Sequence, residues 1–490
     1  MARRPNILIL TSDQQQGATC DPDHPCRLPN LEALARDGIR FTRAYTPMAL
    51  CGPARASLMT GKYPTGHGML NNYHSPPVLH AGLNPGLTHF SERLREAGYN
   101  LSYVGKWHVS GETAPRDHGW HEPEPRETLG EVRRRLALGD QPWVSEPGSV
   151  IRRPGWPDWT LDGVSDMPLQ AWPDHHRAVT AVDELRRLAD RDEPWCLFVG
   201  WTAPHDAYIA PRCYAELYPA AEVPLPINFH DDLSDKPAIY RRQRESLWSS
   251  LTERDYRRAI GRYWALCTML DDLVGAMLTA LDETGQADDT LVLCSSDHGD
   301  LAGAHGMFLK GIPCFEETYR VPLIVRWPAG IANPGRIADE FVTWNDLGPT
   351  FCDLAGAPPL EGAHGRSIAP LLRGEAPEDW PDDLFLQFTS TEYYYTQRII
   401  NDGRLKYVFN GFDFDELYDL QEDPGETVNL ARDPAHAGEI ERLCEGMWAW
   451  FQRAEDVMEC PYPTIALLPR GPEGLDVQFD RPRWWRYKEV

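Results

Sequence analysis

Leu50-Cys51-Gly52-Pro53-Ala54-Arg55-Ala56-Ser57 sets a cysteine, a proline and an arginine at alternate positions. From Pro53 to Thr60 nothing interrupts a helix, and Gly61 follows. Proline near the start and glycine past the end punctuate a short helix, with Cys51 at or just before its first turn. The unsatisfied N–H groups and the positive end of the helix dipole favour an anion there. Arg55, one turn on, shares the face of Cys51. A small reactive side chain beside a fixed cation suits attack on an anionic ester. The same residues also describe a buried cysteine next to an arginine in an ordinary ion pair, and the segment alone does not choose between the two.

The chain has 490 residues, which predicts two or three domains. An apolar content of 42% and a charged content of 25% are those of an ordinary globular protein. The net charge of −25 argues against nucleic acid or an anionic membrane as partner, so an anionic substrate needs a local positive pocket in an acidic body. No uninterrupted apolar run approaches the ~18–20 residues of a membrane span. The run Ile7 to Leu10 is too short for a signal-peptide core. Eleven scattered cysteines without a Cys-x-x-Cys pair fit reduced thiols. The expected location is the cytoplasm.

Strand-like runs at Asn6–Leu10, Leu101–Val104, Trp195–Val199, Leu291–Cys294 and Leu323–Val325 alternate with helical patterns at Leu31–Arg36, Leu87–Glu96, His176–Ala189 and Tyr256–Leu281. That alternation predicts an α/β fold with a mixed, mostly parallel sheet flanked by helices, over residues 1–375. Residues 112–175, rich in Pro, Trp, Asp and Arg, read as a long insertion or lid. A smaller α+β unit is expected over 376–460, with strands at Leu384–Phe388, Arg398–Asn401, Leu405–Phe409 and Glu416–Asp419 and a helix at about 436–453. The tail 461–490 ends in Trp484-Trp485-Arg486-Tyr487, and so aromatic a tail is expected to dock on a second copy in a homo-oligomer.

In open α/β sheets ligands bind beyond the carboxyl ends of the strands. Four predicted strands end in reactive residues: Ser12-Asp13-Gln14, Gly105-Lys106-Trp107-His108, Pro204-His205-Asp206 and Ser296-Asp297-His298-Gly299-Asp300. Asp13, Gln14, Asp297 and His298 form an oxygen-rich set with one imidazole, which suits one hard divalent cation, Ca²⁺ or Mn²⁺ ahead of Mg²⁺. The stretch Asp300 to Gly306 brings Lys310 back over that ion. Tyr73, Trp107, Trp201 and Tyr393-Tyr394-Tyr395 are either an aromatic lining for the substrate or packing residues.

Taken together, Cys51–Gly61 with Lys62-Tyr63-Pro64, the four strand ends and Glu416-Leu417-Tyr418-Asp419-Leu420 resemble the type I sulfatases of the alkaline-phosphatase superfamily. The resemblance implies an alkaline-phosphatase-like fold and hydrolysis of aryl or alkyl sulfate monoesters. It implies that a maturation enzyme oxidises Cys51 to formylglycine, and that Cys51 joins Asp13, Gln14, Asp297 and His298 at the metal. In the implied mechanism one hydroxyl of the hydrated aldehyde attacks sulfur, and loss of the second hydroxyl's proton, assisted by His108, expels sulfate. Arg55 supports the formylglycine, Lys106 and Lys310 hold sulfate oxygens, and His205 serves the leaving group. Asp13-Gln14 and Asp297-His298 depart from the pairs many sulfatases carry and are similar to those of phosphonate monoester hydrolases, so phosphonate or phosphodiester hydrolysis is the alternative. Gly105-Lys106-Trp107-His108 speaks for sulfate. The other readings are a two-metal phosphatase and a silent sulfate-binding protein whose Cys51 is never oxidised.

Overall fold

In the computed structural model, residues 4–75, 82–152, 157–389, 395–411 and 413–456 are described. The aromatic tail, Tyr393 and Tyr394 lie outside them. The large sheet comprises β1 (Asn6–Asp13), β2 (Ile39–Phe41), β3 (Asn100–Gly105), β4 (Trp195–Pro204), β5 (Thr290–Ser296), β6 (Leu323–Arg326) and β7 (Arg336–Ala338). Its order is β7-β2-β6-β5-β1-β4-β3. β1 pairs in parallel with β4 and β5, and β3 with β4, whereas β6 runs antiparallel to β5 and β2. The sheet is therefore mixed and mostly parallel, with β1 central.

Both faces of β1 are apolar, as burial on both sides of a parallel sheet requires. Ile7 and Ile9 join one core with the helices α1 (Cys51–Thr60) and α4 (Trp344–Ala355). Leu8 and Leu10 join the other core with α2 (Pro173–Ala189) and α3 (Glu253–Glu283). Alternate residues of one strand thus serve opposite layers. α3 is long and apolar enough to cross a bilayer, but it lies packed in the core, where Asp271 accepts N–H bonds from Asn30 and Leu31 at 2.9 and 2.8 Å.

The strands run further than their apolar runs predict: β1 continues through Thr11 and Ser12 to Asp13, and β4 through Trp201 to Pro204. The residues added to β1 are polar yet buried, and β1 and β5 stay paired to their ends; just past β1, Ser296 Oγ accepts from Gln15 N–H at 2.9 Å. Trp201 faces the core and is 1% exposed, so of the two roles open to it packing is the one it has.

The insertion 112–175, over its described residues, is structured and packs on the large domain. Its strand Asp162–Ser165 pairs with Tyr208–Pro211, and buried Asp162 accepts from Arg258 Nε at 2.7 Å. The second unit is a consecutive antiparallel sheet of Leu384–Thr389, Thr396–Asn401, Leu405–Asn410 and Glu416–Asp419. Helix Ala437–Arg453 packs on it through Ile440, Leu443, Met447 and Phe451. Buried Lys406 of this sheet bonds the carbonyl of Cys314 at 2.8 Å and pairs with Glu316 at 3.2 Å, tying the unit to the larger sheet. The ten described cysteines are free thiols.

Candidate active site

α1 is buried over its whole length, which its small residues Gly52, Ala54, Ala56 and Ser57 allow, and it ends at Gly61 with φ 70°. That left-handed turn is available to glycine without strain. No side chain caps its start; the N–H of Gly52 donates to Asn72 Oδ1 at 2.9 Å. Cys51 is its first residue and sits where β1 and β5 end.

Asp13, Cys51, Asp297 and His298 each bring a donor atom to within 4.8 Å of the others, and all four are buried. Cys51 Sγ lies 3.1 Å from His298 Nε2 and 3.7 Å from Asp13 Oδ1. His298 Nε2 is 3.7 Å from Asp13 Oδ1 and 3.8 Å from Asp297 Oδ1. Such separations are those between neighbouring ligands around one cation with bonds of about 2.2–2.6 Å. His298 Nδ1–H donates to the Gly299 carbonyl at 2.8 Å, so Nε2 is the nitrogen that faces the cluster and, once its proton leaves, offers a lone pair to a metal. This is the tautomer a metal ligand needs. The residues present fit a divalent cation.

Arg55 closes the back of the cluster. Its Nε donates to Asp297 Oδ2 at 2.8 Å, Nη2 to Asp13 Oδ2 at 3.5 Å and Nη1 to the Lys106 carbonyl at 3.1 Å. Lys106 Nζ also donates to Asp13 Oδ2. The outer oxygens of both carboxylates are thus spoken for, and the inner ones face His298. The hydrogen bonds of Arg55 go to the carboxylates rather than to residue 51, so its support of that position is indirect. Burial and Cys51 push the Asp13 carboxyl up, but Lys106, His205 and Arg55 outweigh them and hold it below the usual range. Burial likewise raises the Cys51 thiol, and Lys106, Lys310 and His298 bring it well below the ordinary thiol value.

Lys106 stands just past Gly105, whose φ is 104° and where a Cβ would meet the Gly200 carbonyl at 2.0 Å. Only glycine lets β3 turn this close to β4 and aim Lys106 inward. Lys310 donates to Gln14 Oε1 and lies 2.8 Å from His205 Nε2, a distance at which one proton bridges the two nitrogens. His205 Nδ1–H donates to the Asp206 carbonyl at 2.8 Å. His108, at φ 52°, stacks on His74 with ring centroids 5.1 Å apart and bonds it at 3.3 Å.

These groups open into a cleft of about 640 Å³. Cys51, Lys106, His108 and His205 line its floor, and Tyr73, His74, Trp107 and Thr113 to Pro115 its rim. Every site residue expected from the sequence therefore lies in or beside one cluster. Gln14 is at its edge, its oxygen on Lys310 and its nitrogen on Asp300 and Asp206. His74, Asp206, Asp300 and Tyr208 join the site without a role assigned from sequence. The aspartates carry the weak signal of following Pro204-His205 and Asp297-His298-Gly299; His74 and Tyr208 carry none.

The sulfatase family model matches residues 5–357, and the C-terminal model of N-sulphoglucosamine sulphohydrolase matches residues 303–452. A choline-sulfatase of Rhizobium meliloti (strain 1021) is 32% identical over 88% of this chain and 83% of its own length. A multifunctional alkaline phosphatase superfamily protein of Trinickia caryophylli is 28% identical over 96% of this chain and 99% of its own. The crystal structure of a phosphonate monoester hydrolase of Agrobacterium radiobacter superposes with a TM-score of 0.78 at 25% identity, covering 93% of this chain and 96% of that one. With its fold, its buried Asp–Cys–Asp–His cluster and a family match over most of its length, the chain belongs to the sulfatase family of sulfuric ester hydrolases.

Proposed function

We propose that the chain hydrolyses small aryl or alkyl sulfate monoesters, with Cys51 oxidised to formylglycine by a separate maturation enzyme. Asp13, Gln14, Asp297 and His298 hold the cation, with Ca²⁺ or Mn²⁺ favoured by an oxygen-rich set carrying one imidazole. The observation that carries this is the place of Cys51: Sγ lies 3.1 Å from His298 Nε2, at the floor of a cleft that Lys106, His108 and His205 also line. When bound, the cation lowers the pKa of a hydroxyl at position 51 and offsets charge on the ester oxygens.

The remaining work falls to the chain. Lys106, bonded to Asp13, and Lys310, bonded to Gln14, hold the sulfate oxygens and stabilise the charge that builds there. The proton bridging Lys310 and His205 lies where the leaving alcohol or phenol departs, and His205 delivers it. Buried Nδ1 of His108 has no hydrogen-bond partner among the described residues, and it accepts a proton from the group at position 51. The rings of Tyr73 and Trp107 at the rim suit either an aryl group or a quaternary ammonium group. The choline-sulfatase relative makes a choline ester the first alternative to an aryl ester.

Phosphonate monoester hydrolysis is the second reading, favoured by the likeness to the Agrobacterium radiobacter enzyme. The Lys106–His108 pair on the cleft floor places it behind sulfate. Two measurements test the proposal. The mass of the Cys51 peptide reports whether sulfur has been replaced by an aldehyde oxygen. Rates on an aryl sulfate and an aryl phosphonate monoester, side by side, rank the substrates. A Cys51 peptide at the thiol mass in protein that turns over the sulfate overturns the formylglycine assignment, and a faster phosphonate rate overturns the ranking.

A further inference from the structure

Gln14 is fully buried at φ 74°, and its carboxamide is held at both ends. Oε1 accepts from Lys310 Nζ, while Nε2 donates to Asp300 Oδ2 and, at 3.2 Å, to Asp206 Oδ1. A carboxamide has two orientations of the same shape, and here only one pairs donors with acceptors. The flip would set the amide N–H groups against the Lys310 ammonium and the oxygen against two carboxylates. Asp300 is likewise fully buried, and all its acceptor sites are used. Oδ1 takes the N–H groups of Ala302 at 2.7 Å and Leu309 at 3.0 Å; Oδ2 takes the Tyr208 hydroxyl at 2.6 Å and Gln14. The loop it spans is closed by Leu301 N–H on the Leu309 carbonyl at 2.7 Å, one residue before Lys310.

From this geometry we infer that Asp300 is a positioning residue for two groups at once. It holds the Gln14 carboxamide with its oxygen on Lys310, the orientation in which that oxygen rather than the nitrogen is free to serve a cation beside position 51, and through the backbone of Leu309 it fixes the arm that carries Lys310. The inference rests on the reading that Gln14, with Asp13, Asp297 and His298, holds a divalent cation. It explains how a neutral carboxamide serves where a carboxylate would find its own orientation. A carboxylate presents oxygen either way round, whereas an amide needs a neighbour that accepts on its nitrogen side.

A double-variant cycle read as Mn²⁺ binding to chelator-stripped protein tests it, independently of turnover. In D300N the new amide faces the Gln14 amide, so Gln14 turns its nitrogen to the cation. Mn²⁺ affinity is expected to fall at least tenfold. In Q14E/D300N the introduced carboxylate accepts from the introduced amide with one oxygen and offers the other to the ion, so affinity is expected to recover to within about threefold of the wild type. Tyr208→Phe removes the other side-chain partner of Asp300 without touching Gln14, and is expected to leave affinity within twofold. D300N binding Mn²⁺ as the wild type does, or Tyr208→Phe losing as much as D300N with no recovery in the double variant, overturns the inference alone. Failure of the wild type itself to bind Mn²⁺ overturns the cation reading and this inference with it.

Discussion

Beneath the floor of the cleft Asp13, Asp297 and Arg55 are at most 1% exposed, and each is bonded to another site residue. At the rim His74 is exposed, Tyr73 and Trp107 are half-buried, and the wall from Thr113 to Pro115 is loop and short 3₁₀ turn. The floor is made of strand ends and the first turn of a buried helix, elements whose positions are fixed by two cores. Its geometry therefore resists change, and a lost partner there leaves a buried charge. The rim is made of connections that tolerate substitution, which suits it to the choice of alcohol under the proposed function. A division of labour follows: chemistry below, choice of the organic half above.

The division is broken most directly at residue 51. Cys51→Ala removes the precursor of the nucleophile while leaving the carboxylates and Arg55 paired. Turnover of an aryl sulfate is expected to fall by about 10⁴-fold or more, in line with loss of a nucleophile elsewhere, with the melting temperature little moved. Cys51→Ser is expected to release product slowly after one turnover, since its single hydroxyl offers no second group to expel sulfate. Rapid steady-state turnover by either variant, followed by sulfate release, breaks the assignment.

Arg55→Met tests the floor as structure. The guanidinium lost is the partner of two buried carboxylates, and removing one side of such a pair costs about 3–5 kcal/mol. Urea unfolding is expected to show a loss of that order at pH 7 together with weakened cation binding. An unchanged midpoint would mean that water replaces the arginine, and that the floor is wetter than its burial implies.

The floor was legible in the sequence because it sits where strand patterns stop. Asn6–Leu10 and Leu291–Cys294 are apolar runs, and the reactive residues begin just past them. The same rule hid the true strand ends: Thr11, Ser12 and Ser295 are polar but buried, and an apolar pattern ends at the first of them. The left-handed backbone at Gln14 and His108 has no sequence signature, since asparagine or glycine is the usual occupant of that region. Convergence was also hidden. Gln14, Asp206, Tyr208, Asp300 and Lys310 come from three separate stretches, and pairing their donors and acceptors needs coordinates. The rim was least legible: of the aromatics named, Tyr73 and Trp107 line it while Trp201 is core, and no local pattern separates them.

At the rim itself effects are smaller and depend on the substrate. Trp107 stacks on His89 and His118 and donates to the Thr113 carbonyl at 2.9 Å, so it both faces the cleft and props its wall. Trp107→Ala is expected to raise KM for an aryl sulfate roughly tenfold, about 1–1.5 kcal/mol of ring contact, with kcat changed little. The penalty is expected to be smaller for a short alkyl sulfate. Equal losses on both esters, carried by kcat, would move Trp107 from the rim to the floor in function.

The last effect concerns the support behind the floor; it is nil at neutral pH and appears only in acid. His67 is fully buried: Nδ1 accepts from Met69 N–H at 3.1 Å and Nε2–H donates to Ser57 Oγ of α1 at 3.0 Å. Burial, above all, brings its pKa to about 3, against 6.5 for a free imidazole. Between those values the unfolded chain takes up a proton that the folded one refuses. Stability is therefore undiminished by this group above pH 6.5 and lost as pH falls toward 3. The slope approaches about 1.4 kcal/mol per pH unit, or about 2 kcal/mol at pH 5. His67→Gln keeps an acceptor for Met69 and a donor for Ser57 but no titrating nitrogen. Its denaturant midpoint is expected to lie slightly below the wild type at pH 7.5 and to fall less steeply between pH 6.5 and 5. Parallel curves would place the acid sensitivity elsewhere, His89 being the next buried imidazole held well below its usual range by burial. Divergence would show that α1, and with it residue 51, is fixed from behind by a histidine that must stay neutral.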